Sequence, residues 1–217
     1  MAVKIMSDTK QWHMETIMQR TRKALKRNGF TVKYAANIAQ AMEFLLKMIP
    51  TTALVGIGGS ITVRELGLVQ ALQDRGNPVA QHWGEYTPDE RIKIRRQQLT
   101  ADVFITSSNA ITEKGQLVNV DGAGQRVAAM IFGPKKVIVV AGVNKIVSDL
   151  NTAIDRINNI AAPINAKRLN RKTPCATTGI CSDCDSAERI CNITTIINKR
   201  PSLTDFTVVL IGQELGY

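Results

Sequence analysis

The run KVIVVAG, residues 136–142, constrains the fold more than any other segment. Five apolar residues, four of them β-branched, follow one another with no polar residue on either face. A strand with one wet face alternates apolar and polar residues. A strand apolar at every position is covered on both sides, as in the middle of a parallel sheet. Shorter runs of the same kind recur at ALVGI (53–57), DVFIT (102–106) and FTVVLIG (206–212). FTVKYA (30–35), PVAQHW (78–83) and LVNV (117–120), the last after a Lys114-Gly115 turn, are predicted strands as well.

Helical patterns lie between them. Residues 8–28 put Met14, Met18 and Leu25 on one side, with Asp8 to cap the start and Asn28-Gly29 to end the helix. Residues 38–49 carry Met42, Leu45, Leu46 and Ile49 on one face and stop at Pro50. Further helices are expected from Ser60 to about Leu72, and over 88–99, 122–132 and 148–161. Strands alternating with helices define an α/β fold, a mainly parallel, Rossmann-like sheet with helices on both faces.

Composition narrows the function classes. Only 5% of the 217 residues are aromatic, which argues against a platform that stacks bases. No apolar run approaches the roughly 20 residues of a membrane span. The N-terminus, MAVKIMSDTKQWHMETIM, lacks the apolar core and cleavage site of a secretory signal, so a cytoplasmic protein with reduced thiols is expected. The net charge of +10 is spread over helix faces, including Arg91, Lys93, Arg95 and Arg96, and over Lys167, Arg168, Arg171 and Lys172. No nucleic-acid motif accompanies it, so these read as solvated faces together with a small anion site, and a nucleic-acid partner is not expected.

VGIGGSIT (55–62) joins a strand to a helix, the setting in which backbone N–H groups hold an anion. Gly58 and Gly59 permit close approach, Ser60 and Thr62 add hydroxyls, and the spacing is neither a Walker A loop nor a full G-x-G-x-x-G. Glu65 follows in the first turns of that helix, either complementing its dipole or reaching the crevice at the strand ends.

The segment 106–147 gathers polar residues at predicted strand ends. Asn109, Thr112 and Glu113 follow one strand, Asn119 and Asp121 end the next, Arg126 opens a helix, and Asn144 and Lys145 end the strand after it. Glu113 and Asp121 are available for general acid–base work, and Arg126 and Lys145 for neutralising a carboxylate or phosphate. His13 and His82, the two histidines, read as structural polar residues.

All four cysteines, Cys175, Cys181, Cys184 and Cys191, fall in PCATTGICSDCDSAERIC with spacing C-x5-C-x2-C-x6-C. Four clustered thiols in a reducing compartment point to one metal centre, zinc or a [4Fe–4S] cluster, rather than two disulfides. They leave no thiol elsewhere to act as a nucleophile.

GGSITVRELGL, SSNAITEKGQLVNVDGAGQRVAAMIFGPKKVIVVAGVNKIV, AAPINAKRL and the terminal GQELGY together resemble the LUD domain, named for lactate utilization, in the family of lactate-utilization protein C. The resemblance runs from about residue 10 to the end. It implies one domain: a helical part over 8–50, an α/β core over 51–165, a cysteine-rich excursion over 166–200, and a last strand and tail over 201–217. It also implies a fold like that of glucosamine-phosphate isomerase, ribose-phosphate isomerase and the CoA transferases. VGIGGSIT is similar to the phosphate loop of those isomerases, but the position of their acid is Asn109 here, and an amide cannot act as a base. The function implied is oxidation of L-lactate to pyruvate, or of a related 2-hydroxyacid, with iron–sulfur partner proteins. That tilts the cysteines toward iron–sulfur. A transferase or isomerase acting on a CoA-linked or phosphorylated small molecule with Glu113 or Glu65 as nucleophile or base, and a non-catalytic subunit of a redox complex, stay open, as does homo-oligomerisation.

Overall fold

The computed structural model describes residues 8–217. The leader reading rests in part on residues 1–7, which lie outside the described residues. Six strands make the main sheet: β1 (Thr31–Ala35), β2 (Val55–Ile57), β3 (Val79–Gln81), β4 (Val103–Thr106), β7 (Lys136–Gly142) and β10 (Asp205–Ile211). Their order is β1-β10-β7-β4-β2-β3 and every pairing is parallel. The strand expected over 136–142 forms with those bounds, near the middle.

β7 explains why the sheet is two-sided. Val137, Val139 and Ala141 join one apolar cluster, and Ile138 and Val140 join the other. Each of the valine and isoleucine side chains contributes about 1.5–3 kcal/mol when fully buried. One cluster is closed by α2 (Ile38–Met48), α3 (Ile61–Glu65) and α4 (Leu68–Asp74), through Leu45, Val63, Leu68 and Leu72. The other is closed by α1 (Asp8–Arg27) and α6 (Gln125–Ile131), through Met18, Leu25, Ala129 and Met130. α5 (Pro88–Leu99) starts with a capping box: the Thr87 hydroxyl accepts from Glu90 N–H and the Glu90 carboxylate accepts from Thr87 N–H.

Three stretches depart from the sequence reading. The single helix expected from Ser60 to Leu72 is two short ones, separated at Gly67, whose φ of 70° no helix continues through. The helix expected to end at 161 runs on. α7 (Leu150–Arg156), a π-helical turn (Ile157–Ala161) and α8 (Ala162–Arg168) form one rod. Pro163 lacks an N–H and its ring would meet the carbonyl four residues back; the wider turn, in which Ala162 N–H donates to Ile157 O, accommodates it.

The third departure is a second sheet, in the order β8-β5-β6-β9. It comprises β5 (Ala110–Thr112), β6 (Leu117–Asp121), β8 (Ile146–Val147) and β9 (Ile193–Ile197). β5 and β6 form a hairpin about Lys114-Gly115, and β9 runs antiparallel to β6 from Leu117↔Ile197 to Asp121↔Ile193. The cysteine segment therefore returns to the fold as a paired strand instead of hanging outside it. A short helix, α9 (Pro174–Thr178), carries its first cysteine.

Candidate functional site

The carboxyl ends of β2, β4, β6 and β7 open onto one crevice of about 510 Å³. Its wall includes Gly59, Ser60 and Thr62 after β2, Ser107 and Asn109 after β4, Asp121 and Gly122 after β6, and Lys145 after β7. The segment 187–190 and Asn192, from the cysteine loop, close one side.

The glycine-rich loop is tight. A Cβ at Gly58 would lie 2.8 Å from Thr106 Oγ1 and 3.2 Å from Thr106 Cβ, so this position needs glycine to pass over β4. Gly58 N–H donates to Ile105 O (2.9 Å) and Ser60 N–H to Gly58 O (2.7 Å), so two N–H groups expected to face an anion are occupied. Ser60 caps α3 by accepting from Val63 N–H (3.3 Å). With only five residues, α3 adds little dipole. Gly59 and the Ser60 hydroxyl are what the loop presents to the crevice; Thr62 lines it too, but its hydroxyl donates to Leu215 O (3.3 Å), and Gly58 lies behind them.

Arg126 organises the middle of the site. Its Nη1 donates to Asn119 Oδ1 (2.7 Å) and Ser107 O (3.2 Å), its Nη2 to Val120 O (2.8 Å) and Asn109 Oδ1 (3.1 Å), and its Nε lies 3.6 Å from Asp121 Oδ2. Burial pushes this guanidinium below its usual range, opposed by the Asp121 charge. Asn109 Oδ1 also accepts from Val120 N–H (2.9 Å), and Asp121 Oδ2 from Val127 N–H (3.3 Å). Asn109, Asp121 and Arg126 thus brace one another, and an amide oxygen so held is structural. Arg156, on α7, donates to Asn109 O (2.7 Å) and Asn144 O (3.0 Å) and ties two strand ends together.

Lys145 is 4% exposed and faces the crevice. One hydrogen bond, to Tyr217 O (2.9 Å), leaves further donors on the ammonium. Burial first, then the Arg156 and Arg126 charges, lower its pKa to about 7, with Glu65 acting in the opposite sense. The 213–217 segment lies alongside. Glu65 Oε2 accepts from Gly216 N–H (2.6 Å), Asn144 Nδ2 donates to Gly216 O (3.2 Å), and Asn144 Oδ1 accepts from Leu215 N–H (3.2 Å). Glu65 and Asn144 therefore hold this segment at the rim and are not part of the crevice wall.

Two more expected site residues lie elsewhere, away from the rim as well. Glu113 and Thr112 belong to the β5–β6 hairpin: Glu113 pairs with Arg20 of α1 (2.8 Å), and Thr112 Oγ1 donates to Gln116 Oε1 (3.1 Å). The chain turns away from the main sheet at Ser107-Ser108, so the hairpin loop points to the α1 side.

The crevice holds residues the sequence reading set aside. Arg91, Arg95, Arg168 and Arg171, read as solvated, line it together with His82 and Trp83. His82 Nδ1 lies 3.1 Å from Gln98 Nε2, an amide that also donates to Ile57 O (2.9 Å) and Ala80 O (3.2 Å). On its other side the ring meets the glycine loop: a Cβ at Gly59 would lie 3.4 Å from His82 Nε2. Burial, then the Arg95 and Arg91 charges, lower the His82 pKa to about 4. The available signal was the i, i+4 spacing of Arg91 and Arg95, which puts both on one face of α5.

Cys175, Cys181, Cys184 and Cys191 are free, part-buried and line one small pocket. As they stand, no group of three or more His, Cys, Asp or Glu among the described residues could hold a metal ion. Arg189 crosses the pocket, donating from Nη1 to Cys184 O (2.7 Å) and from Nε to Cys191 O (3.3 Å). Arg189 and Ile190 line both this pocket and the crevice. Burial pushes the Cys191 thiol up, and the Arg189 charge pulls it down.

These features define an α/β domain with a cationic crevice at the strand ends and a thiol pocket in its wall. The sequence profile of the LUD domain matches residues 18–211, and the chain belongs to that family, which is associated with lactate utilization. A DUF162 family protein from Deinococcus radiodurans has a similar fold, with a TM-score of 0.54 and 12% identity, over 92% of this chain and 98% of that one. No curated protein sequence matches. No described helix is long and apolar enough to cross a membrane.

Proposed function

We propose that the inner half of the crevice binds the carboxylate of a small 2-hydroxyacid, with L-lactate as the reference ligand, and that the protein takes part in oxidising it to pyruvate with iron–sulfur partner proteins. The observation that carries this reading is Lys145: a buried ammonium facing a crevice of polar groups with donors to spare. Buried ammonium groups call for an anionic partner. Ser60 supplies a hydroxyl on the same wall, and His82 a neutral imidazole.

Oxidation removes two electrons and two protons from the hydroxyacid, and the electrons need an acceptor. The four thiols are the right donor set for a [4Fe–4S] centre or for zinc, and they share one pocket, although loading requires the sulfurs to draw closer than they stand. When bound, an iron–sulfur centre there would supply an electron acceptor in the wall of the crevice, next to Arg189. Zinc would only brace the loop.

Calorimetric titration of anaerobically purified protein with L-lactate tests the ligand. Saturable binding is expected, weakened by about tenfold or more in Lys145→Ala. No binding by the wild-type protein, or equal binding by the variant, would remove the reading. Metal analysis of the same sample tests the thiol pocket. Iron with sulfide and absorbance near ~400 nm supports the electron-transfer role, one zinc reduces it to a staple, and metal-free protein rules the centre out.

A further inference from the structure

Lactate is a monoanion of three carbons. The crevice is far larger: about 510 Å³, with Arg91, Arg95, Arg126, Lys145, Arg168, Arg171 and Arg189 in its wall against Asp121 and Glu188. That size belongs to sites for drug-sized ligands, roughly 300–1,000 Å³. The charge left unmatched belongs to four of these arginines. Arg126 is matched by Asp121 and four other acceptors, and Arg189 by Asp183. Arg91, Arg95, Arg168 and Arg171 form no ion pair among the described residues. The nearest thing to a partner is neutral: Tyr86 O for Arg91, and Asn165 Oδ1 and the Tyr217 hydroxyl for Arg168.

The Nε atoms of Arg91 and Arg95 are buried and have no hydrogen-bond partner. The two side chains also repel each other across one turn of α5; at Arg95 the Asp121 charge opposes this from a distance without an ion pair, and Arg171 adds to the repulsion. Three elements, α5, α8 and the chain just after α8, thus hold like charges together and leave buried donors unmet. Such a group is costly alone and is relieved by a ligand that brings several negative charges and many acceptor oxygens.

We propose that the outer half of the crevice, formed by Arg91, Arg95, Arg168 and Arg171, binds the diphosphate group of an organic ligand, a site separate from that for the hydroxyacid. Guanidinium groups pair with phosphoryl oxygens two bonds at a time, and four of them match a diphosphate better than one carboxylate. The ligand is a second occupant beside the hydroxyacid, and the site stands whether or not lactate binds.

The test titrates the full-length protein with pyrophosphate and with ADP, at constant ionic strength, in wild type, Arg91→Ala, Arg95→Ala and the double variant. Both probes are expected to bind the wild type and raise its melting temperature. Each single change should weaken pyrophosphate by about tenfold, and the double change should abolish it. Without ligand the variants should melt no lower than wild type, since each removes a repelling charge; this separates lost binding from lost folding. ADP binding more tightly than pyrophosphate marks a nucleotide-type ligand, and equal affinities mark recognition of the diphosphate alone. Neither probe stabilising the wild type beyond sodium chloride, or affinities unchanged in the double variant, would overturn the proposal. The L-lactate titration is run separately, so failure of one site is not mistaken for failure of the other.

Discussion

Arg126 and Arg95 line the same crevice and live in opposite surroundings. Arg126 meets Asp121, Asn119, Asn109 and two backbone carbonyls. Arg95 has a buried Nε with no partner and Arg91 beside it. A closed network of this kind fixes the shape of a wall. An open one holds unmet charge where something from outside can meet it. Both arginines face a cavity, so position alone does not separate the structural cation from the binding one; the state of their hydrogen bonds does.

The comparison breaks first on stability. Arg126→Ala would strip partners from Asn109, Asn119 and Asp121 at once, and should cost about 3–5 kcal/mol in a denaturant melt. A loss below about 1 kcal/mol would mean that the network is not what holds the strand ends. Lys145→Ala should leave the melt nearly unchanged while weakening L-lactate by about tenfold or more, because its ammonium is itself costly to bury.

Acid titration probes the wall beside α5. The folded-state pKa of His82 is about 4 against an ordinary 6.5, so between these values the unfolded chain takes up a proton that the folded one refuses. Stability from this group is therefore complete above about 6.5 and lost as pH falls toward 4. His82→Gln should flatten that part of the stability–pH curve, and an unaltered slope would place the histidine outside the buried wall. The smallest effect is expected at Glu113. Its pairing with Arg20 is at the surface, with side chains 25% and 58% exposed, so Glu113→Gln should change stability by less than about 1 kcal/mol and leave ligand affinity as it was.

Much of the frame was legible in the sequence, for identifiable reasons. β7 is apolar from Val137 through Ala141 because both faces are covered, and α5 announces itself through Thr87, Pro88 and Glu90. The second sheet was hidden except for β6. β5 and β8 have three and two residues, too few to show a period, and β9 is an edge strand with four of its five residues at least partly exposed. The same sheet misled the reading of the site: once β5 turns away from β4, Glu113 and Thr112 travel with it, while Asp121 at the far end of β6 comes back to the crevice. Arg91 and Arg95 looked solvated because α5 has no apolar stripe to orient it; Gln98 is its one buried residue. His82 gave no signal, since its role depends on Gln98, sixteen residues later.

The central claim is that an ammonium at Lys145 holds the anionic ligand, and the pH dependence of L-lactate affinity tests it most directly. With a pKa of about 7, Lys145 is charged below that value and neutral above it. Affinity should therefore fall roughly tenfold between pH ~6 and pH ~8.5, and this dependence should vanish in Lys145→Ala. An affinity that is flat across the range in the wild-type protein, or a slope that survives the substitution, would contradict the claim.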